Sequence, residues 1–599
     1  MNGFLVKMRT GTLALIRRWW KYIVLCLFVS VVLALILEWL QVNSQPMFNG
    51  IRDSLHFKRM LKVAAFLFVF LIILNKIHMW TRIRKIFRDA GTNLLKDKKD
   101  TLIHAAVFAG AAVVSYLLLR VYVPYVLSKD INWISNIFII TVSVAVGCLF
   151  CFCKILAQKA EIFFLVFSLL IGGNIAFFAA DTSHVCWDDE YHYQESVSFS
   201  YLGEVRYTGV EEAVMAYDPE QRYEIANLNE WHTGQNEVYK RGAVEIVPRH
   251  INLKNYWSAF SGVGIYLGRV LGFPFHLMWE IGRFTGLLAY SIIGYFAIRR
   301  LKSGKMILAS VLMIPENLFL ASSYSYDSGV TVFIALGLAY LFAEWQEPEK
   351  KLTWFNTGII IGALFIGCYT KAIYFPLLLF PLFLPKSKFS SSRQCSCFMC
   401  LTIGAMLLLI LSFVLPFIGS YATAGDKRGG GDVSASGQIA FIMSDPLAYI
   451  RILTDFLKSY LHPDKASDFL TFFAFEGKAP NSSIYLIVLA IAAFTDKSLC
   501  DDHFAQRGWT RALFMFVILG IICLVATSMY VMFTSVGLGT INGCQSRYML
   551  PLFFPAIMIL GLKGMNNKTN RTVYNGIIFS LAGYVGFTSV LYQIINLYY

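Results

Sequence analysis

The chain has 599 residues, of which 57% are hydrophobic and only 15% charged, with a net charge of +15 and a mean hydropathy of +0.58. A soluble protein of this length carries more charge and shorter apolar runs, so the soluble globular classes are excluded. Apolar runs of about 18–23 residues recur instead, long enough to cross a bilayer as helices and too long and unalternating for barrel strands.

In chain order, apolar spans are expected at roughly 20–40, 60–80, 103–125, 133–155, 161–180, 276–298, 305–323, 328–345, 354–370, 372–385, 398–419, 482–496, 511–533, 547–562 and 574–597. The expected fold class is therefore an all-α polytopic membrane protein of about 15 transmembrane spans. The first span starts behind Lys7, Arg9, Arg17 and Arg18 and lacks a small-residue cleavage site, so it reads as a retained helix. The segment 372–385 is short and interrupted by Pro376 and Pro381.

The basic residues sit mostly in short loops beside spans, which is the positive-inside pattern. With the N-terminus inside, the cytoplasmic segments are 81–102, "RRLKSGK", "EPEKK", "PKSKFSSSR", "DKSLCDDHFAQRGWTR" and "KGMNNKTNR". The outer side receives the long loops 181–275 and 420–481, the short loop 534–546 and the C-terminus. Arg52, Lys58 and Arg59 on the outer side go against the trend. Only "RIRKIFRDAGTNLLKDKKD" is dense enough to suggest nucleic acid; orientation is the simpler reading, and no nucleic-acid partner is expected.

There are 12 cysteines. Cys148, Cys151 and Cys153 lie in an apolar run as small hydrophobes, and Cys395, Cys397 and Cys400 lack a nearby fourth ligand, so no zinc site is expected. No internal repeat suggests an inverted-repeat transporter. Loop 181–275 is globular in composition until "NYWSAFSGVGIYLGRVLGF", which reads as interfacial, with Tyr256 and Trp257 at headgroup level.

Four stretches carry candidate chemistry. "CWDDEYHYQ" places Asp188, Asp189, Glu190 and His192 just past the span 161–180. A solvated loop is the plain reading; carboxylates part-desolvated at a membrane surface gain basicity and suit proton removal from a hydroxyl. "ENLFLASSYSYDSG" holds Glu316 within a span, where an ionised group needs a partner or a cavity, and Asp327, equally a helix cap or a site residue. "CYTKAIYFP" sets Lys371 at an outer turn, either snorkelling or meeting a lipid phosphate. "INGCQSRYMLP" delivers Gln545 and Arg547 to a helix start, and arginine can hold phosphate by two parallel hydrogen bonds. Glu280 and Arg283, three apart on one helix, are spaced to pair with each other. All but Glu316 belong to the expected outer face, as in a catalytic surface handling a lipid-borne anion.

At these residues the chain resembles the domain-of-unknown-function 2142 family of bacterial membrane proteins, placed in the GT-C glycosyltransferase superfamily. Asp188, Asp189 and His192 are similar to its D-E-x-x-H pattern, with Asp189 at the family's Glu and Trp187 at its Pro. "IYLGRVLGFPFHLMWEIGRF" resembles its G-R-x-x-G segment and following helix arginine, at Arg269 and Arg283. "IPENLFLASSYSYDSG" resembles its P…S-x-S-x-D segment, with Asp327, and "KAIYFPLLLFPLFLPKSKF" its K-x-x-Y-x-P-L run, with Lys371 and Tyr374. "GQIAFIMSDPLAYI" is similar to its Q…P segment and "NGCQSRYMLP" to G-V-Q-G-R-Y-x-L-P, with Ser546 replacing a glycine.

The resemblance implies a GT-C-like helical bundle over 161–599, preceded by a four-helix extension, 1–160. It implies transfer of a sugar from a polyprenyl-phosphate donor to a glycan or lipid-linked acceptor, on the outer side of a bacterial cytoplasmic membrane. Asp188, Asp189, Glu190 and His192 are then the catalytic candidates, with the base either Asp188 or Asp189. Arg547, Lys371, Gln545 and Arg269 are the donor-phosphate candidates, and Asp327, Tyr374, Tyr548 and Glu316 the substrate candidates. No particular cofactor is implied, and a divalent metal could join the acids; membrane lipids are the surrounding partners. A flippase for a lipid-linked saccharide is the alternative, favoured by Glu316, and a non-catalytic scaffold is a third reading.

Overall fold

The computed structural model describes residues 2–48, 54–76, 98–182, 185–202, 204–216, 225–248, 251–415, 426, 429–430, 432–465, 469–496, 508–560 and 568–599. Most of the expected cytoplasmic segments 81–102, "DKSLCDDHFAQRGWTR" and "KGMNNKTNR", and the start of loop 420–481, lie outside the described residues.

The first 160 residues supply α1 (Asn2–Ser44), α2 (Phe57–Lys76), α3 (Lys98–Leu127) and α4 (Trp133–Gln158), with α5 (Ala160–Phe178) following after Lys159. Next comes a unit built from α6 (Asp189–Tyr201), β1 (Glu204–Tyr207), α7 (Gly209–Met215), α8 (Ile225–Lys240), β2 (Glu245–Pro248) and α9 (Ser258–Val270). The bundle continues with α10 (Phe275–Arg300), α11 (Lys305–Leu312), α12 (Pro315–Ala321), α13 (Asp327–Gln346) and α14 (Trp354–Thr370). It ends with α15 (Ser392–Val414), α16 (Ala435–Ser444), α17 (Pro446–Tyr460), α18 (Ser482–Thr495), α19 (Gly508–Phe533), α20 (Leu550–Leu560) and α21 (Arg571–Val590), whose last turns run on to Tyr598.

Among the described residues nine helices are long and apolar enough to cross a membrane: Tyr22–Ser44 of α1, Leu102–Leu127 of α3, Trp133–Cys153 of α4, α5, α10, α13, α15, α19 and Arg571–Tyr598. Four shorter apolar helices, α14, Ala372–Phe383, α18 and α20, accompany them. The protein is thus a mostly helical, polytopic membrane protein. One small sheet departs from the expected all-α class: β1 and β2 pair antiparallel with Val205 opposite Val247, and Val205 is buried.

The expected span 305–323 is not one helix. Ile314 turns to an extended ψ of 127° and Pro315 opens a new helix, because proline lacks the N–H that would continue the first. In series, α11 and α12 still run from one end of the bundle to the other. Lys305 lies 3.2 Å from Glu161 at the start of α5, whereas the Tyr324 amide bonds Asp189 beyond its end. The segment expected as span 372–385 is a 3-10 helix carrying Pro376 and Pro381.

Packing is by aromatic contact and close helix approach. Phe579 of α21 sits between Phe163 and Phe167 of α5, at 5.9 and 5.8 Å, and Phe380 stacks on Phe514 at 4.0 Å. The expected interfacial stretch is α9, laid against α10 through small residues; a Cβ on Gly264 would come 2.5 Å from the Ile281 carbonyl. Trp257 is buried against Gly329 of α13. The N-terminal helices dock on this bundle, with Asn575 of α21 donating to the Leu156 carbonyl at 3.1 Å and Phe138 meeting Phe587.

The two ends of the bundle differ. At one end, basic loops meet acidic helix ends: Arg300 with Glu344 and Glu347 (2.7 and 3.1 Å), Lys388 with Glu344 (2.8 Å) and Arg571 with Asp496 (3.2 Å). The opposite end carries the unit from α6 to α9 and the residues described next.

Candidate active site

Four charges from four distant segments close one end of the bundle. Arg547 Nη2 donates to Asp188 Oδ2 at 2.9 Å, and its Nε lies 3.4 Å from Asp327 Oδ2. Lys371 Nζ is ion-paired to Asp327 Oδ1. Two cations thus face two carboxylates. All are largely shielded except Asp188, whose side chain is 27% exposed against 5% for Asp327 and Arg547.

Each position follows from local chain geometry. Asp188 precedes α6 in the left-handed region (φ 59°), which short polar side chains tolerate, and this turns its carboxylate outward. Asp327 lies in the first turn of α13, where a negative charge meets the positive end of the helix dipole. It does not cap that helix through its side chain, which goes to Lys371 and Arg547 instead. Lys371 fills the break between α14 and the following 3-10 helix. Arg547 sits in the 3-10 turn Ser546–Tyr548, reached through Gly543, whose φ of 77° and position under the Phe533 ring leave no room for a side chain.

Aromatic rings surround the cations. Lys371 Nζ is 4.2 Å from the Tyr548 ring centre and 5.3 Å from that of Tyr326. The Arg547 guanidinium is 5.0 Å from Trp187 and 5.6 Å from Tyr548. Such contacts stabilise a desolvated cation by about 2 kcal/mol. Burial nevertheless pulls Lys371 down to about 8, against the opposing effect of Asp327.

The other residues singled out in the sequence divide. His192 is buried, its ring edge-on to Tyr326 at 4.5 Å, and burial lowers its pKa to about 4, so it is neutral near pH 7. Asp189 points the other way from Asp188, into the protein, fully buried. It accepts the Tyr324 amide at 3.1 Å and faces Arg283 at 3.9 Å, and burial raises its pKa to about 7. Arg283 spends its donors on the Ala179 and Ala180 carbonyls at 3.1 and 2.8 Å rather than on Glu280. Glu190 is half-buried in the first turn of α6.

Glu316 accepts from Ser546 Oγ at 2.6 Å, so this buried acid anchors the turn that carries Arg547. Tyr374 donates to the Tyr548 carbonyl at 2.7 Å and Tyr460 to the Gln545 carbonyl at 3.0 Å, holding the same turn from two sides. Arg269 is not brought to the cluster. It bonds Ser200 and Gln41 of α1 and lies 3.9 Å over the Tyr201 ring, fastening α6 and α9 to the N-terminal helices. Tyr326 and Phe472 belong to the site without having been singled out, the one signal for Tyr326 being adjacency to Asp327; Trp187 was named only as the residue at the family's proline.

Two pockets flank the turn. One, of about 350 Å³, is lined by Lys254, Tyr326, Tyr369, Lys371, Tyr374 and Tyr548. The other, of about 620 Å³, includes Tyr460, Lys465, Phe472, Lys478, Gln545 and Ser546. Phe472 packs on Trp187 at 5.2 Å, so this second pocket adjoins the side of the site that bears Asp188. Among the described residues no group of three or more His, Cys, Asp and Glu is placed to hold a metal ion, and Arg547 occupies the position between the two exposed-end carboxylates.

A helical bundle of membrane-spanning length, closed at one end by a compensated charge cluster between two pockets, defines a polytopic membrane protein with a candidate site at one membrane face. The chain belongs to the DUF2142 family of predicted membrane proteins, whose sequence profile matches residues 223–555, more than half of its length. The match takes in Arg269, Glu316, Asp327, Lys371, Tyr374, Gln545, Arg547 and Tyr548 and begins after the stretch Asp188–His192. No curated protein and no solved structure matches the chain.

Proposed function

We propose that the protein is a GT-C-type glycosyltransferase of the bacterial cytoplasmic membrane, moving a sugar from a polyprenyl-phosphate donor to a glycan or lipid-linked acceptor outside the cytoplasm. The observation that carries this reading is Asp188: a part-exposed carboxylate held by Arg547, whose turn has a pocket on either side.

In this reaction an acceptor hydroxyl oxygen bonds the sugar's anomeric carbon as the bond from that carbon to the phosphate oxygen breaks. Asp188 takes the hydroxyl proton, and the electron pair leaves on the lipid phosphate. Arg547 holds Asp188 in place and adds positive charge beside the developing phosphate charge, in a setting shielded from water where such charge counts most. Lys371 and Asp327 fix the far edge of Arg547. The tyrosine-lined pocket suits the acceptor, since sugar rings lie against aromatic faces and hydroxyls find phenol partners. The expected placement of the DUF2142 family among GT-C enzymes agrees with the same reaction class.

The test is sugar transfer from a radiolabelled polyprenyl-phosphate sugar by the purified protein in detergent, with no sealed compartment. Transfer that Asp188→Asn abolishes supports the enzyme. Movement of lipid-linked saccharide that requires a sealed vesicle, with no transfer in detergent, would establish a flippase instead.

A further inference from the structure

Residues 471–479 form a tight hairpin beside the candidate site. The Ala479 amide donates to the Thr471 carbonyl at 2.9 Å, the Thr471 hydroxyl donates to the Ala479 carbonyl at 2.9 Å, and the Phe473 amide donates to the Gly477 carbonyl at 2.8 Å. Gly477, at a φ of 90°, allows the return of the chain. The turns that follow α21 fix the hairpin from outside: Gln593 donates to the Lys478 carbonyl at 2.7 Å, and Tyr598 donates to Glu476. Two adjacent rings then part. Phe473 is buried and stacks on Phe319 of α12 at 4.6 Å, whereas Phe472 meets Trp187 edge-on at 5.2 Å.

The hairpin thus holds the Phe472 ring in one place, and that place is a boundary. Phe472 lines the pocket of about 620 Å³ together with Gln545 and Ser546, and the exposed polar residues Asp455, Ser459 and Thr540 give water access to it. Among the described residues, that lining includes none of Trp187, Asp188 and Arg547. Behind Phe472 comes Trp187, then the Arg547 guanidinium 5.0 Å from the Trp187 ring, then Asp188 at 2.9 Å from Arg547. We propose that Phe472 and Trp187 form a water seal between this pocket and Asp188, committing the sugar to its acceptor. The barrier stands on the geometry; its effect on the reaction rests on the glycosyltransferase reading. Without the seal, a water oxygen bonds the anomeric carbon as the bond from that carbon to the phosphate oxygen breaks. Asp188 takes a water proton, and free sugar and lipid phosphate result. Two apolar rings keep water from a reactive donor without competing for the proton.

Two measurements on the full-length protein in detergent test this. Hydroxyl-radical footprinting reads water access at Trp187 without any turnover. Oxidation of Trp187 should rise about twofold or more in Phe472→Ala, because a lost ring uncovers its neighbour, and stay near the wild-type level in Phe472→Leu. In the sugar-transfer assay the ratio of free to transferred sugar should rise about tenfold in Phe472→Ala, and Phe472→Leu should keep the wild-type ratio. Phe472→Val, a smaller truncation, should move both readouts the same way and is read instead if Phe472→Ala loses monodispersity. A merely structural role would lower transfer and hydrolysis together and leave their ratio unchanged, which overturns the proposal. Unchanged Trp187 oxidation in the truncated variants overturns it too, as does wild type that releases sugar to water as readily as it transfers it. If wild type and variants neither transfer nor release sugar, the glycosyltransferase reading falls, and the footprint alone upholds or overturns the barrier.

Discussion

Arg547 donates to Asp188 across 359 residues of chain, tying the turn before α20 to the turn before α6. The same guanidinium reaches Asp327, so one side chain gathers three segments at the membrane face. Asp188 is held and part-exposed, as the proposed base has to be; Asp189 beside it is buried with its carboxylate on the Tyr324 amide. In the sugar-transfer assay Asp188→Asn should lose about 10²–10⁴-fold in turnover. Asp189→Asn keeps an acceptor for the Tyr324 amide and should stay within about tenfold of wild type. A dead, well-folded Asp189→Asn beside an active Asp188→Asn would move the base one residue along.

Asp327 is the hinge of the charge balance, because it faces both cations. Asp327→Asn leaves Lys371 and Arg547 sharing one carboxylate, and removing one partner of a buried ion pair costs about 3–5 kcal/mol. Asp327→Asn/Lys371→Met removes a charge of each sign and should be less destabilised than Asp327→Asn alone. Thermal melting in detergent, followed as retained monodisperse protein, reads the order. A double variant as damaged as the two singles combined would show that the pair is not coupled.

The pH response of stability should separate two buried neighbours. Asp189, raised to about 7, binds more protons folded than unfolded between about 4 and 7, so its contribution falls as pH rises through that window. His192, lowered to about 4, binds fewer protons folded than unfolded up to about 6.5, so its contribution rises over nearly the same window. The two slopes oppose each other in the wild type. Relative to wild type, Asp189→Asn should gain stability from pH 4 to 7 and His192→Asn should lose it from pH 4 to 6.5. Melting temperatures at half-unit steps check this; parallel curves for all three proteins would show that neither group titrates with folding.

Much of this arrangement was legible in the sequence because charge is scarce in it. Asp188, Asp327, Lys371 and Arg547 each stand at the end of an apolar run, where an ionisable group is conspicuous, and the structure brings these four together. What adjacency cannot reveal is direction. Asp188 and Asp189 differ by one residue, yet the left-handed turn sends one to the surface and the other inward. Arg269 read as a phosphate ligand because its use depends on α1, more than two hundred residues away, and Gln41 there completes its bonding. Pro315 was visible, but its effect on the run 305–323 was not, since the run is buried on every side and periodicity is blind to a break in a wholly buried helix.

Orientation is the last prediction. Lys350 lies at the end of the bundle where Arg300, Lys302 and Lys388 gather around Glu344 and Glu347, and its side chain is 69% exposed. Lys458 lies on α17, whose Tyr460 reaches the Arg547 turn, and its side chain is 73% exposed. Basic loops are retained on the cytoplasmic side during insertion, so Lys350 should face the cytoplasm and Lys458 the outside. A membrane-impermeant maleimide should therefore label Lys458→Cys in intact cells and Lys350→Cys only after permeabilisation, each read above the labelling of wild type with its 12 native cysteines. The opposite pattern would turn the Asp188–Arg547 cluster toward the cytoplasm. The acceptor would then have to be a cytoplasmic hydroxyl compound, and outward-facing glycan assembly could not be its role.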